Sequence, residues 1–414
     1  MAGIDQVAPY SVSGEGLEAA TAKVVVQPAV LKWARLTSGH SEGHVAGRLK
    51  VEANLVRSWE STPTALGYTQ LQQLSALYKR PLTALLLSAP PEDFAFPTDF
   101  RVDPSRFGDK EWTLSPRIYE LVRRTRYALD IVDSVRADAA EKTFPTATLD
   151  RDPELVASEE RRRFDVSVSL QTRWGATNSY REWRKRMQSL GVITCQYSLR
   201  ETGVRGFSLI DSDSSPAIVV SSTDSYAGRT FTMFHEYAHL LLRKGGLCDP
   251  PDGLSPVSEG ADHRSILQVE RWCNHFAGAF LMPREAIEEV DVAFVSGTPR
   301  NESIGPIANR LGISRLALMT RLRVLNLVDE TVYWAWWRLL SEMPQRPRTK
   351  PTGELRIPRA KLALGENGAR LSRIVLQAYE TGSITPLEAS DALHLRVPQF
   401  PRLMDLLDTG APEL

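Results

Sequence analysis

The chain has 414 residues, with 50 Lys+Arg against 50 Asp+Glu and a hydrophobic fraction of 42%. That length implies two to four globular domains, and the charge balance excludes a global field that would draw nucleic acid or a membrane surface, so any nucleic-acid site must be a local patch. Cys195, Cys248 and Cys273 are widely spaced, with no C-x-x-C pair; this argues for structural cysteines in a reducing compartment rather than a disulfide framework. The first residues lack a basic start followed by a long apolar core, and no run reaches membrane-spanning length. The expectation is a cytoplasmic protein with no membrane partner.

Residues 1–27 carry no periodicity and read as a loose lead-in. Pro28 opens a helix, and two further short helices, Ser41 to Leu49 and Glu52 to Glu60, flank a tight turn at Lys50-Val51. Val45, Ala46, Leu49, Val51, Leu55 and Trp59 are spaced to pack together, which is the pattern of a helix-turn-helix. The segment 28–90 resembles the XRE (phage-repressor-like) family. In such a module the second helix would be the groove reader, with Ala53, Asn54 and Arg57 nearest the bases of double-stranded DNA. Against DNA, the segment holds seven Lys/Arg and three Glu, a weak basic excess, and such folds also dock proteins.

Residues 91–165 read as a linker and helical connector. Pro90 to Trp112 is rich in Pro, Asp and Phe, and Ile118 to Val135 is an amphipathic helix with Arg117, Arg123, Arg124 and Arg126 at or near it, expected to be a solvated face. From 166 to 300 helices give way to three strand-like runs around Val192, Phe207 and Ile218, and then to an apolar helix over Thr230 to Leu242. Helices, a small sheet and a buried helix together suggest an α+β core. An edge strand there can hold an extended peptide by strand addition.

That last helix contains His235-Glu236-Tyr237-Ala238-His239. Residues i and i+4 share a helix face, so the two imidazoles point at one spot with Glu236 beside them. H-E-x-x-H is the pattern of zinc peptidases, two nitrogen ligands and one general base. A catalytic zinc needs a third protein ligand and an open position. Asp249, Glu259, Asp262, His263, Glu270 and His275 lie downstream. Glu270 leads among them, because it opens a helix-like run to Met282 on which Glu270, Cys273-Asn274 and Ala277 share a face. The alternative for Glu270 is an exposed carboxylate at a helix start.

The run Arg229 to His239, followed by Glu270-x-x-Cys-Asn-x-Phe-Ala and Leu281-Met282-Pro283, resembles the ImmA/IrrE family of metallo-endopeptidases, which cleave a repressor or antitoxin-like partner. The resemblance implies zinc ligation by His235, His239 and Glu270, with Glu236 as the base. Tyr226, Arg229 and His275 are the candidates for stabilising an oxyanion.

Beyond 300, Ile304 to Leu327 has helix-turn-helix-like spacing and Thr331 to Trp337 reads as a strand, giving a unit over 301–340. Residues 341–414 form a Pro/Arg/Lys-rich linker and a helical C-terminal unit with a helix start at Thr385-Pro386. The expected architecture is α+β and mostly α: an N-terminal helix-turn-helix bundle, a zincin-like peptidase core with a small sheet, and a helical C-terminal region. The expected function is a zinc endopeptidase acting on a repressor or antitoxin-like protein to regulate transcription. The alternatives are a DNA-binding regulator with a sensing or structural zinc, or the toxin half of a toxin–antitoxin pair. Self-association as a homodimer is left open.

Overall fold

The computed structural model describes residues 23–91, 98–99, 115–135, 144–199, 204–210, 214–244, 246–248, 261–288, 290, 301–342 and 357–413. The protein is mostly helical with two small sheets, an α+β arrangement. Among the described residues no helix is long and apolar enough to cross a membrane. The chain divides into two compact units, Met1–Ala95 with Thr113–Glu120, and Phe96–Trp112 with Leu121–Leu414.

In the first unit β1 (Lys23–Val26) pairs antiparallel with β2 (Thr64–Gly67), Val24 opposite Leu66. This corrects the reading of residues 1–27 as wholly loose: the β-branched Val24-Val25-Val26 run finds a partner 40 residues on, while residues 1–22 lie outside the described residues. The helices are α1 (Pro28–Leu36), α2 (Glu42–Leu49), α3 (Ala53–Trp59) and α4 (Tyr68–Tyr78). Ser41 caps α2 by accepting the His44 amide at 3.2 Å, and Lys50 ends it in the left-handed region at φ 56°. Val30, Leu31, Val45, Ala46, Val56, Trp59, Leu71 and Leu74 fill the core. Arg35 is buried against Glu60, Nε to Oε1 at 2.6 Å, so this deeply placed cation is paired.

In the second unit α5 (Pro116–Ser134, which begins in the first), α6 (Pro153–Phe164) and α7 (Val168–Ser189) precede β4 (Ile193–Tyr197), β5 (Gly206–Leu209) and β6 (Ala217–Ser221). Then come α8 (Tyr226–Leu241), β7 (Gly246–Cys248), α9 (Ala261–Leu281) and α10 (Arg284–Ile287). With β3 (Thr98–Asp99) the strands form one sheet in the order β3-β7-β5-β6-β4. β4 and β6 run parallel, and β5 is antiparallel to both β6 and β7. All five residues of β4 and of β6 are buried, as strands covered on both faces require.

An aromatic cluster joins α8 to its neighbours. Phe234 stacks on Phe280 of α9 at 4.1 Å, Trp183 of α7 meets Phe234 at 5.0 Å, and Phe164 of α6 meets Phe280 at 5.1 Å. Burying each such ring stabilises by roughly 1.5–3 kcal/mol, and the cluster fixes α8 and α9 face to face.

Past residue 300 lie α11 (Asn301–Leu311), α12 (Arg315–Val324), α13 (Glu330–Glu342), α14 (Arg359–Glu380), α15 (Pro386–Leu393) and α16 (Phe400–Asp408). The strand expected over Thr331–Trp337 is instead part of α13. Asp329 accepts the Val332 amide at 2.8 Å as a helix N-cap, and Tyr333 and Trp336, three apart, are the residues it buries. Tertiary packing overrides the strand preference of Val, Tyr and Trp here. α14 breaks at Gly368, φ 74°, where a Cβ would stand 2.8 Å from the Thr194 carbonyl of β4. Only glycine accommodates both that conformation and that approach.

Candidate metal centre

His235 and His239 sit one turn apart on α8, and Glu270 reaches them from α9. The Nε2 atoms of the two imidazoles are 3.2 Å apart; His235 Nε2 is 3.2 Å from Glu270 Oε2, and His239 Nε2 is 3.0 Å from Glu270 Oε1. Two donors about 2.0–2.1 Å from one tetrahedral ion stand roughly 3.3 Å apart, so the donor set and its spacing fit a metal. His235, His239 and Glu270 form a buried group able to hold one.

The outward ring nitrogens fix the tautomer. His239 Nδ1 lies 3.1 Å from the Lys244 carbonyl, which only accepts, so Nδ1 carries the proton and the Nε2 lone pair faces the cluster. His235 Nδ1 lies 3.0 Å from Asn274 Oδ1 and is oriented in the same way. Asn274 is one helical turn beyond Glu270, so a single face of α9 supplies both the carboxylate and the group that orients His235. That i, i+4 spacing is visible in the sequence, but the orienting role of Asn274 is not.

Glu236 is fully buried, with the Ser208 hydroxyl of β5 as a neighbour. Burial pushes its pKa up and Glu270 adds to this, against the two imidazoles and the neighbouring Ser208 hydroxyl, which lower it. Burial would likewise raise Glu270, but His235 and His239 overcome it and hold that carboxyl at about 2. Burial disfavours charge on His235, yet the Glu270 carboxylate outweighs this and raises its pKa. Glu236 rests against β5: a Cβ on Gly206 would come within 3.2 Å of Glu236 Oε1. Gly206 and Ser208 had no signal in the sequence beyond lying in a strand-like run. Cys273, buried nearby, is pushed well up by burial first and then by Glu270 and Glu236, and its sulfur is not among the converging ligand atoms.

Glu270 does not open its helix. α9 starts at Ala261, nine residues earlier, and Glu270 is 1% exposed in its middle; this removes the alternative of an exposed helix-start carboxylate. Its far end is held by three side chains from three other helices. Arg161 of α6 donates to the Phe280 carbonyl at 2.7 Å, Gln171 of α7 to that of Leu281 at 3.0 Å, and Arg321 of α12 to that of Met282 at 2.9 Å. These are carbonyls that a helix end leaves open.

The three oxyanion candidates each hold partners elsewhere in the fold. Arg229 donates to the Asp224 and Ser222 carbonyls and to Gln196, which braces the turn before α8. His275 pairs with Glu154 Oε1 at 2.8 Å. Tyr226 packs on Tyr180, nine residues or about 13 Å along the helix from His235. Asp249 and Glu259 lie outside the described residues, as do the side chains of Asp262 and His263. On α3, Asn54 and Arg57 are exposed and Ala53 is half-buried; Arg57 Nη2 is 2.8 Å from Glu42 Oε2.

Residues 187–323 match the family model of peptidase family M78, described as an IrrE N-terminal-like domain. The match takes in about a third of the chain, from the end of α7 through α12, and includes every residue of the candidate centre. That segment is similar to a metallopeptidase. No curated protein matches the sequence.

Proposed function

We propose that the protein is a zinc-dependent endopeptidase with a zincin-like core, in which His235, His239 and Glu270 hold the metal and Glu236 is the general base. One observation carries the reading: three ligand atoms converge on a point beside a fully buried carboxylate. A bound zinc would polarise the scissile carbonyl and acidify the attacking water. Glu236 takes the proton from that water as it adds to the carbonyl, and passes it to the amine nitrogen as the C–N bond breaks. Asn274 and the Lys244 carbonyl keep the two imidazoles aimed throughout.

The substrate class, a repressor or antitoxin-like protein, follows from resemblance to the ImmA/IrrE family. The segment α2–turn–α3 is read as a helix-turn-helix that recruits this partner. Arg57, already neutralised by Glu42, favours a protein-docking face over one reading double-stranded DNA. The exposed Asn54 supports the regulator reading, in which residues 28–90 bind a duplex. A duplex bound specifically with a steep salt slope would favour that second reading. The test of the first is Glu236→Gln: the variant is expected to keep one zinc per chain and to lose cleavage of a co-purified partner. Loss of zinc from that variant would sink the base assignment.

A further inference from the structure

The backbone of Gly206 lies close to Glu236, where an added Cβ would come within 3.2 Å of Oε1, and extended peptides are held at sheet edges by strand addition. Both sides of β5 are nevertheless taken at this point. Gly206 and Phe207 pair with Val220 and Val219 of β6 on one side, and with Cys248 and Leu247 of β7 on the other. His235, Glu236 and His239 are fully buried and Glu270 is 1% exposed, so no peptide reaches the base in this arrangement. β7 starts two residues after Lys244, whose carbonyl holds His239. It therefore leaves the metal side of α8 and runs antiparallel along the strand that backs the base.

We propose that Gly246–Cys248 is an internal strand occupying the substrate's place on β5, and that an extended polypeptide must displace it to be cleaved. This rests on the endopeptidase reading above. Among the described residues the occupying strand is held at few positions: it pairs with β5 at two and with β3 at two, whereas β4 and β6 pair at five. The substrate it selects is a segment able to lie extended along Gly206 and Phe207, which an unfolded or locally opened region provides and a folded helix does not.

Leu247→Pro puts a residue with no N–H in the middle of Gly246–Cys248 and so weakens the strand's hold in the sheet. The full chain and this variant are compared for zinc per chain and for the rate of cleaving β-casein, an unfolded probe. The expected result is unchanged zinc and a rate roughly tenfold or more higher, as the competent fraction grows. A variant that holds its zinc and cleaves no faster overturns the proposal. Amide exchange of the wild type provides an arm independent of activity and of the variant's folding. The amides of Gly246–Cys248 should exchange by local opening, roughly tenfold or more faster than those of β4 and β6; exchange only on global unfolding overturns the proposal. If the wild type binds no zinc, the endopeptidase reading fails, and exchange still decides whether the strand is displaceable.

Discussion

Gly206→Ala tests how closely the sheet backs the base. The added Cβ would stand 2.7 Å from Thr232 Cγ2, 2.8 Å from the Val219 carbonyl oxygen and 3.2 Å from Glu236 Oε1. Ordinary carbon contacts lie at about 3.5–4.0 Å. Thr232 is buried and the Val219 oxygen is backbone, so neither can swing aside freely. The strand must back away from α8 by something like half an ångström or more. Overpacking of this kind costs roughly 1–3 kcal/mol, and each kcal/mol lowers Tm by about 1–2 °C in a unit of this size. Glu236 moves with the strand, and a misplacement of about 1 Å can cost on the order of 10²-fold in rate. The ligands are untouched, so zinc should stay. Thermal unfolding, zinc analysis and cleavage rate on one preparation read all three effects. An alanine variant with unaltered Tm and unaltered cleavage would show that Gly206 does not approach the base as described.

Asn274→Ala should loosen the metal roughly 10–100-fold, because His235 loses the group that orients it; competition with a chelator measures this, and unchanged affinity would remove Asn274 from that role. Glu154 accepts from Arg321 and His275, and although burial opposes it, these partners hold its carboxyl at about 2, below the ordinary 4.5. Its folded pKa is depressed, so the stability it contributes is present above about pH 4.5 and is lost as the pH falls toward 2. Stability measured across that window should fall less steeply in Glu154→Gln than in the wild type, and parallel curves would exclude the coupling. Gly43 and Gly47 lie exposed in α2 with open space where a Cβ would go. Each Gly→Ala change should stabilise the first unit by roughly 0.5–1 kcal/mol, read by denaturant unfolding; destabilisation would contradict the helix as described.

The donor pair on α8 was legible because helical periodicity turns a spacing of four into a shared face. Glu270 was picked out by the small residues on its face, but its depth was not visible: the first turns of α9 are the polar Asp262-His263-Arg264-Ser265, which look like loop. β1 was missed because a strand four residues long has no period to show, and its partner lies beyond three helices. At Thr331–Trp337 the cue present in the sequence was Asp329 as a cap, and composition concealed it. The oxyanion candidates show a different limit. Residue type suggests chemistry, whereas Arg229 and His275 are committed to partners that only the folded chain supplies.

The clamp on the last carbonyls of α9 separates two kinds of boundary. Likeness to the peptidase family runs from 187 to 323, yet Arg161 and Gln171, which hold that helix end, come before it, and so does Glu160, which takes the Tyr237 hydroxyl at 2.6 Å. Arg321 is just inside the last residues matched, and its carboxylate partner Glu154 is not. The stretch that resembles the family and the stretch that packs as a body are thus different lengths of chain. A fragment trimmed to the recognisable motif would keep every ligand and lose the scaffolding that aims the third one. The segment before the match is then part of the bench on which the candidate site is aligned.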